Sequence, residues 1–220
     1  MTPLVAALDG KHFQVAELLY QNGANVDLRD TSGGTPLREA CKTGFLDIVQ
    51  FLINHGADVN AWGCGGLAPL HIAAIYGQLP PVRLLVKHSA DVNIQTGPRK
   101  TPLHMVTGFY PMPDHIDIMR VLLTHGADPN ARHYRGSTPL HRSPWWQGYY
   151  RERMGTAEGT RLLLEHGAII DAQDTNGKTP MDLALEDGHL PIVECLVLQG
   201  DMEHSQAFGR THKSQNITGI

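Results

Sequence analysis

Apolar residues along this chain fall into short stripes that recur. The phrases TPLVAA, TPLREA, APLHIA, TPLHMV, TPLHRS and TPMDLA begin at residues 2, 35, 68, 101, 138 and 179, at spacings of 33, 33, 33, 37 and 41 residues. A second apolar stripe and a turn follow each one: VAELLYQNGANVD, IVQFLINHGADVN, VRLLVKHSADVN, IMRVLLTHGADPN, TRLLLEHGAIID and IVECLVLQGDME. In the second stripe Ile48, Val49, Phe51 and Leu52 keep helical spacing. In the first, Pro3, Pro36, Pro69, Pro102, Pro139 and Pro180 stand where a helix begins, a position that tolerates a fixed φ and a missing N–H. The preceding threonine can cap that helix with its hydroxyl. Gly44, Gly77 and Gly188 close the first helix, and Gly23, Gly56, Gly126, Gly167 and Gly200 stop the second. DTSGG at 30–34 and DTNGK at 174–178 are turn chemistry for a linking hairpin. The pattern therefore predicts six helix-turn-helix units. One such unit cannot bury its own apolar face, and a stack of six can.

These motifs resemble the ankyrin repeat, over residues 1 to about 204. The resemblance implies an all-α repeat solenoid of stacked helix-turn-helix units with short β-hairpin or loop fingers. Its units run 1–29, 30–62, 63–95, 96–132 with a four-residue insertion, 133–173 with an eight-residue insertion, and 174–204, before a polar tail at 205–220. The first unit lacks a leading hairpin and reads as a terminal cap or a truncated copy. The recurrence of His71, His104 and His141 invites a metal reading, but stacked helices lie about 8–10 Å apart. Zinc ligands sit at about 2.0–2.1 Å, so residues one repeat apart cannot share an ion. The resemblance implies instead that these histidines hydrogen-bond backbone between neighbouring units. His55, His125 and His166, with His88 before Ser89, precede helix-ending turns, where a cationic side chain suits the dipole.

Composition narrows the classes. The 220 residues are 41% hydrophobic and 18% charged with a net charge of −4, which excludes a generally basic nucleic-acid binder. Cys41, Cys64 and Cys195 are too few and too scattered for a disulfide framework or a zinc set. Asp9 and Lys11 leave no room for a secretory signal, and no apolar run approaches the roughly 20 residues that span a bilayer. The expectation is an intracellular, cytoplasmic or nuclear monomer with no cofactor and no metal, in which the NIT sequon at Asn216 is idle.

Departures from the repeat are where function is expected. Pro80 and Pro81 open the second helix of repeat three, a tolerable place for proline. Repeat four is lengthened within GFYPMPDH at 108–115, and repeat five between Pro144 and Gly155. Repeat five also replaces the usual Ile-Val pair by Gly159 and Thr160, which predicts the softest unit of the stack. The resemblance implies that the last turn of each first helix and the finger tips line a concave binding surface. Ile75 and Tyr76, Gly108 and Phe109, and Trp145 and Trp146 hold the helix positions. Trp62, Cys64, Lys100, Tyr134 and Arg135 hold the tips, and Tyr110, Tyr149 and Tyr150 come from the insertions. Nine of the fourteen aromatics thus fall on one face. Residues 99–153 carry eight Lys or Arg against four acids, the rest of the chain ten against eighteen. A basic, aromatic centre lies between acidic ends.

The leading function is a non-catalytic module that grips a protein or peptide. Tyr76, Phe109, Trp145 and Trp146 would anchor it, and Arg99, Lys100, Arg135 and Arg142 would engage acidic groups through charge-assisted hydrogen bonds. The competing reading of the rings is that they pack on one another and shape a long loop. An enzyme or small-molecule binder would use the aromatic cleft near His104 and His141. No phosphate-binding loop appears, GCGG at 63–66 reads as a finger tip, and no third group orients His141 beside Ser143. Stacking of single-stranded nucleic acid on tryptophans is a further alternative, disfavoured by the acidic ends.

Overall fold

Thr2, Thr35 and Thr179 each accept a backbone N–H three residues on, at 3.2 Å, with proline at the first helical position. Ala68 has no hydroxyl to offer. There the His71 Nδ1 takes the Ala68 N–H at 3.2 Å. These starts produce six helix pairs in a computed structural model that describes residues 2–31, 33–108, 114–142 and 157–200. The pairs are α1 Pro3–Asp9 with α2 Phe13–Gln21, α3 Pro36–Thr43 with α4 Leu46–Asn54, and α5 Pro69–Ile75 with α6 Leu79–Lys87. They continue with α7 Pro102–Gly108 and α8 His115–Thr124, α9 Pro139–Arg142 and α10 Ala157–Glu165, and α11 Pro180–Glu186 with α12, 190–200. From α3 to α11 each first helix packs on the next first helix, and α4, α6, α8 and α10 form a second layer. The described residues hold no strand.

The two layers close over one apolar cluster running from Leu4 to Leu196. Leu37, Leu70, Leu103 and Leu140, from the repeated first phrase, and Leu52, Leu85, Leu122 and Leu163, from the second helices, are all essentially inaccessible. Burying one such side chain contributes about 1.5–3 kcal/mol. In repeat five Gly159 and Thr160 are buried where Ile48 and Val49 pack in repeat two, so Leu162 and Leu163 carry that unit's core.

Polar ladders tie the units together. With Nδ1 of each imidazole accepting an N–H from its own repeat, Nε2–H is left to donate to the next finger. His71 reaches the Lys100 carbonyl at 3.0 Å, His104 that of Ser137 at 3.2 Å and His141 that of Lys178 at 3.1 Å. This is the inter-repeat role that the histidine pattern implies. A second ladder runs through asparagines: Asn60, Asn93 and Asn130 accept the backbone N–H of Asp91, Asp128 and Ile169 at 2.8–2.9 Å. His55, His125 and His166 each donate Nδ1–H to the carbonyl four residues earlier, at 2.7–2.9 Å. A neutral ring does this as well as a cation.

Each finger closes in the same way, as Thr96 shows: its N–H donates to the Lys100 carbonyl at 3.0 Å and its carbonyl accepts from Arg99 at 2.8 Å. The closing turn needs a left-handed residue, glycine in the other four fingers and Arg99 (φ 63°) in this one. Lys11 (φ 56°) and Ser89 (φ 64°) likewise stand at repeat positions that are glycine elsewhere. Left-handed backbone costs a side-chain-bearing residue about 1–2 kcal/mol.

Two outcomes follow from this packing. Ser89→Gly removes the left-handed penalty and should raise stability in urea unfolding by about 0.5–1 kcal/mol after the added freedom of the unfolded chain is subtracted. Acidification should weaken the stack, because burial lowers the pKa of His71, His141 and His115, the last to about 4. The unfolded chain then binds protons that the folded one refuses, so stability is full above about pH 6.5 and falls as pH drops toward 4. His115 alone accounts for about 3 kcal/mol of that loss. His115→Gln, which places there the residue that repeat three carries as Gln78, should flatten the pH dependence of thermal unfolding.

Candidate interaction surface

The finger at 130–138 is held from both sides. The Tyr134 N–H donates to the Pro98 carbonyl of the preceding finger at 3.0 Å. On the other side the Arg135 carbonyl accepts from both the backbone N–H and the hydroxyl of Thr175, each at 3.0 Å. Arg132 Nη1 reaches forward to the Gln173 carbonyl at 2.7 Å. Asp30, Thr96 and Asp174 start the equivalent turns with an oxygen that accepts a nearby backbone N–H. Here His133 does so, its Nδ1 accepting from Arg135 at 2.9 Å.

That substitution has a second effect. The His133 ring is buried and stacks on His104, centroids 5.7 Å apart, and on Tyr134, 5.3 Å apart. The Arg135 guanidinium lies 5.3 Å from the Tyr134 ring centre on its face. A column of aromatic and cationic planes thus runs from the core, through His104 and His133, to Tyr134, which is 58% exposed. Tyr134 is held in place yet offered to solvent.

Lys100, Tyr134 and Arg135 share one concavity of about 320 Å³, which repeat six completes with Asn176, Lys178, Asp174, Glu186 and Asp187. Lys178 binds the Glu186 carboxylate at 2.6 Å, and that contact raises its ammonium above the ordinary lysine range. The sequence reading placed repeat six outside the surface and missed these acids, so the concavity is of mixed charge. It also missed His133, which an alignment of the five finger starts singles out as the one aromatic among Asp, Gly and Thr.

The other predicted residues lie apart from this concavity. Trp62, 63% exposed, sits on the finger of repeats two and three, its carbonyl accepting from Arg29 Nη1. Tyr76 ends α5 with the Lys42 ammonium 6.0 Å from its ring centre. Arg99 is exposed in a separate open depression with Asn93, Gln95, Asp128, Asn130 and Arg132, although Lys100 beside it faces the first concavity. Phe109, Tyr110, Trp145, Trp146, Tyr149, Tyr150 and the Arg142 side chain lie outside the described residues. Among the described residues no group of three or more His, Cys, Asp or Glu is placed to hold a metal ion. No described helix is long and apolar enough to cross a membrane.

The profile for ankyrin repeats in three copies matches residues 4–96 and again 70–150, and the profile for ankyrin repeats in many copies matches 157–197. Ankyrin repeat domain-containing protein 63 of Homo sapiens is 43% identical over 56 residues, which is 25% of this chain and 15% of that protein. The protein of the same name from Mus musculus is 44% identical over 52 residues, 23% of this chain and 13% of its own length. The chain thus matches a small part of either relative.

The His133 turn is testable. His133→Ala should lower stability by about 1 kcal/mol, the worth of a local cap, and speed amide exchange at Arg135. His133→Asp, the residue of the first and last fingers, should restore both in hydrogen-exchange and melting measurements.

Proposed function

The chain belongs to the ankyrin repeat family, and from that membership we propose that it is a non-catalytic interaction module holding a protein or peptide segment against its finger and first-helix face. Ankyrin repeats generally mediate protein–protein contact, and the finer reading concerns where and how. The observation that carries it is Tyr134, an exposed ring whose backbone is fixed from both sides and whose face is backed by His133. A side chain immobilised before its partner arrives loses little entropy on binding, and aromatic and arginine anchors of this kind dominate binding energies. Lys100 and Arg135 would meet acidic groups of the partner. Asp174, Glu186 and Asp187, across the concavity, would favour a neighbouring basic group, so the segment that fits best alternates acidic, apolar and basic side chains. Trp62, Tyr76, Arg99, Phe109, Tyr110, Arg142, Trp145, Trp146, Tyr149 and Tyr150 would extend the contact along repeats two to five.

The test is selection from a random peptide display library against the full chain, followed by calorimetric titration of the selected peptide. Tyr134→Ala and Arg135→Ala should each weaken binding by roughly 30-fold, the equivalent of about 2 kcal/mol, with melting temperature shifted by no more than a few degrees. The double variant Trp145→Ala, Trp146→Ala should lose the peptide while the fold stays intact. Binding unchanged in all three variants would remove this face from the reading. Collapse of the double variant would make its indoles core.

A further inference from the structure

The residue two before each repeat's opening threonine or alanine closes its finger in left-handed backbone, and four of the five fingers use glycine there: Gly33, Gly66, Gly136 and Gly177. Space asks for glycine as well as dihedral angle. A Cβ added at Gly136 would stand 3.1 Å from the Thr175 nitrogen of the following finger, and one at Gly66 3.0 Å from the Gly97 nitrogen. The third finger nevertheless carries Arg99 at φ 63°. It does so under the same finger-to-finger bond, from the Tyr134 N–H to the Pro98 carbonyl at 3.0 Å. A side chain kept on an unfavourable backbone angle raises the question of what it does.

Arg99 lines an open depression of about 480 Å³ together with Arg132 of the next finger. Register confines this pairing to one junction. At the positions of Arg99 and Arg132 the other three finger junctions carry Gly33 with Trp62, Gly66 with Gln95, and Gly136 with Gln173. Both arginines are positioned by the fold. Arg99 Nε donates to Gln95 Oε1 at 3.4 Å, which leaves its two Nη groups uncommitted among the described residues. Arg132 gives Nη1 to the Gly136 and Gln173 carbonyls at 3.2 and 2.7 Å and keeps Nε and Nη2. The polar side chains around them are already bonded. Asn93 and Asn130 each accept a backbone N–H through Oδ1 and donate Nδ2 to a glycine carbonyl. The one acid of the depression, Asp128, accepts the Asn130 N–H at 2.8 Å. Among the described residues neither Arg99 nor Arg132 forms an ion pair.

We propose that this depression binds the phosphate monoester of a phosphorylated side chain on the protein partner, held between Arg99 and Arg132. Two guanidiniums offer two planar forks of N–H donors. A carboxylate has two oxygens and fills one fork. The three terminal oxygens and double charge of a phosphate monoester match both forks and outweigh the single opposing charge of Asp128. A run of phosphodiesters, as in nucleic acid, would meet cations here and acids beyond, since the chain outside residues 99–153 carries ten basic against eighteen acidic residues. The inference rests on the proposed partner being a protein and adds to it the chemistry of one contact. The depression shares no lining residue with the concavity that Tyr134 lines, so the two contacts are separable by experiment.

The test is a proton–nitrogen correlation NMR titration of the full chain at about pH 7.5, where a phosphate monoester is a dianion. Three probes are compared: phosphoserine and glutamate, each capped at both ends, and dimethyl phosphate. Capped phosphoserine should shift the Nε–H signals of Arg99 and Arg132 and bind roughly tenfold more tightly than either other probe, the worth of one further charge-assisted contact. Arg99→Gly should weaken it by a similar factor while melting temperature holds or rises, because glycine suits the left-handed turn. Arg99→Asn, which also tolerates that backbone, repeats the test without the flexibility of glycine. Asp128→Asn keeps an acceptor for the Asn130 N–H and removes the opposing charge, so it should tighten binding about threefold. Tyr134→Ala should leave phosphoserine binding unchanged even where it abolishes capture of an unphosphorylated peptide, which separates failure of this site from failure of the concavity. Glutamate or dimethyl phosphate binding as tightly as phosphoserine overturns the proposal, as do arginine signals that stay still under phosphoserine. Loss of phosphoserine binding in Tyr134→Ala would move the phosphate to the concavity and overturn it equally. A fall in melting temperature in both Arg99 variants would make that guanidinium structural, with the same consequence.

Discussion

An imidazole has two nitrogens, and in His104 each serves a different repeat. Nδ1 accepts the Thr101 N–H at the start of its own helix, while Nε2–H crosses to the Ser137 carbonyl of the next finger. The ring is 1% exposed, so neither bond is traded against water, and a buried donor left without its carbonyl would cost about 1–3 kcal/mol. Helix start and finger position are therefore fixed by one side chain, and the geometry of each unit is set by its neighbour. Repeats three, four and five share this device through His71, His104 and His141. Apolar burial supplies most of the stability, but the leucines are nearly interchangeable from repeat to repeat and specify little about register. The histidines specify it to within a hydrogen bond.

Most of this architecture was legible before any coordinate was known, for a physical reason. Each unit repeats the same answers to the same local problems: proline and threonine to begin a helix, glycine to end it, an oxygen to close a turn. Six repetitions make the pattern hard to mistake. What the sequence hid were contacts between units whose residues do not recur. His133 stacks in both directions because a turn position usually held by Asp or Thr was given to a ring, and no periodicity announces that. The acids of repeat six line the concavity that Lys100 of an earlier finger also lines. Likewise Arg99 and Lys100, consecutive and both cationic, read as one patch in sequence. Left-handed backbone at Arg99 (φ 63°) turns them to separate depressions.

The fingers also show how a repeat scaffold separates stability from specificity. Their carbonyls are spent on the ladder and on neighbouring fingers, so the backbone is constrained whatever the tip carries. Side chains at the tip are then free to vary in chemistry without a cost in fold. Trp62, Tyr134 and Arg135 are large and exposed at positions that contribute nothing to the core. Strain at Arg99 fits the same division, since an unfavourable backbone angle persists only where surrounding hydrogen bonds over-determine it. The Thr96 closure supplies those bonds.

The junctions are not equal, and their order along the chain bears on where binding can be precise. Repeats one and two carry Val5 and Arg38 where repeats three, four and five carry the bridging histidine, so the first two junctions lack that bond. Repeats one and two are joined instead by contacts such as Glu17 to His55 at 2.8 Å and Lys11 to Asp47 at 3.7 Å, the latter an exposed pair of a kind that contributes about 0–1 kcal/mol, and repeats two and three by the Asp91 N–H to Asn60 at 2.9 Å. In a nearly one-dimensional stack, where each unit feels only its neighbours, local opening starts at the least bonded junction. The histidine bond is therefore a constraint that the three junctions around the finger of Tyr134 and Arg135 have and the first two do not. An anchor is useful to a partner only to the extent that it holds still. This chain places the finger of Tyr134 and Arg135 within its histidine-bridged segment.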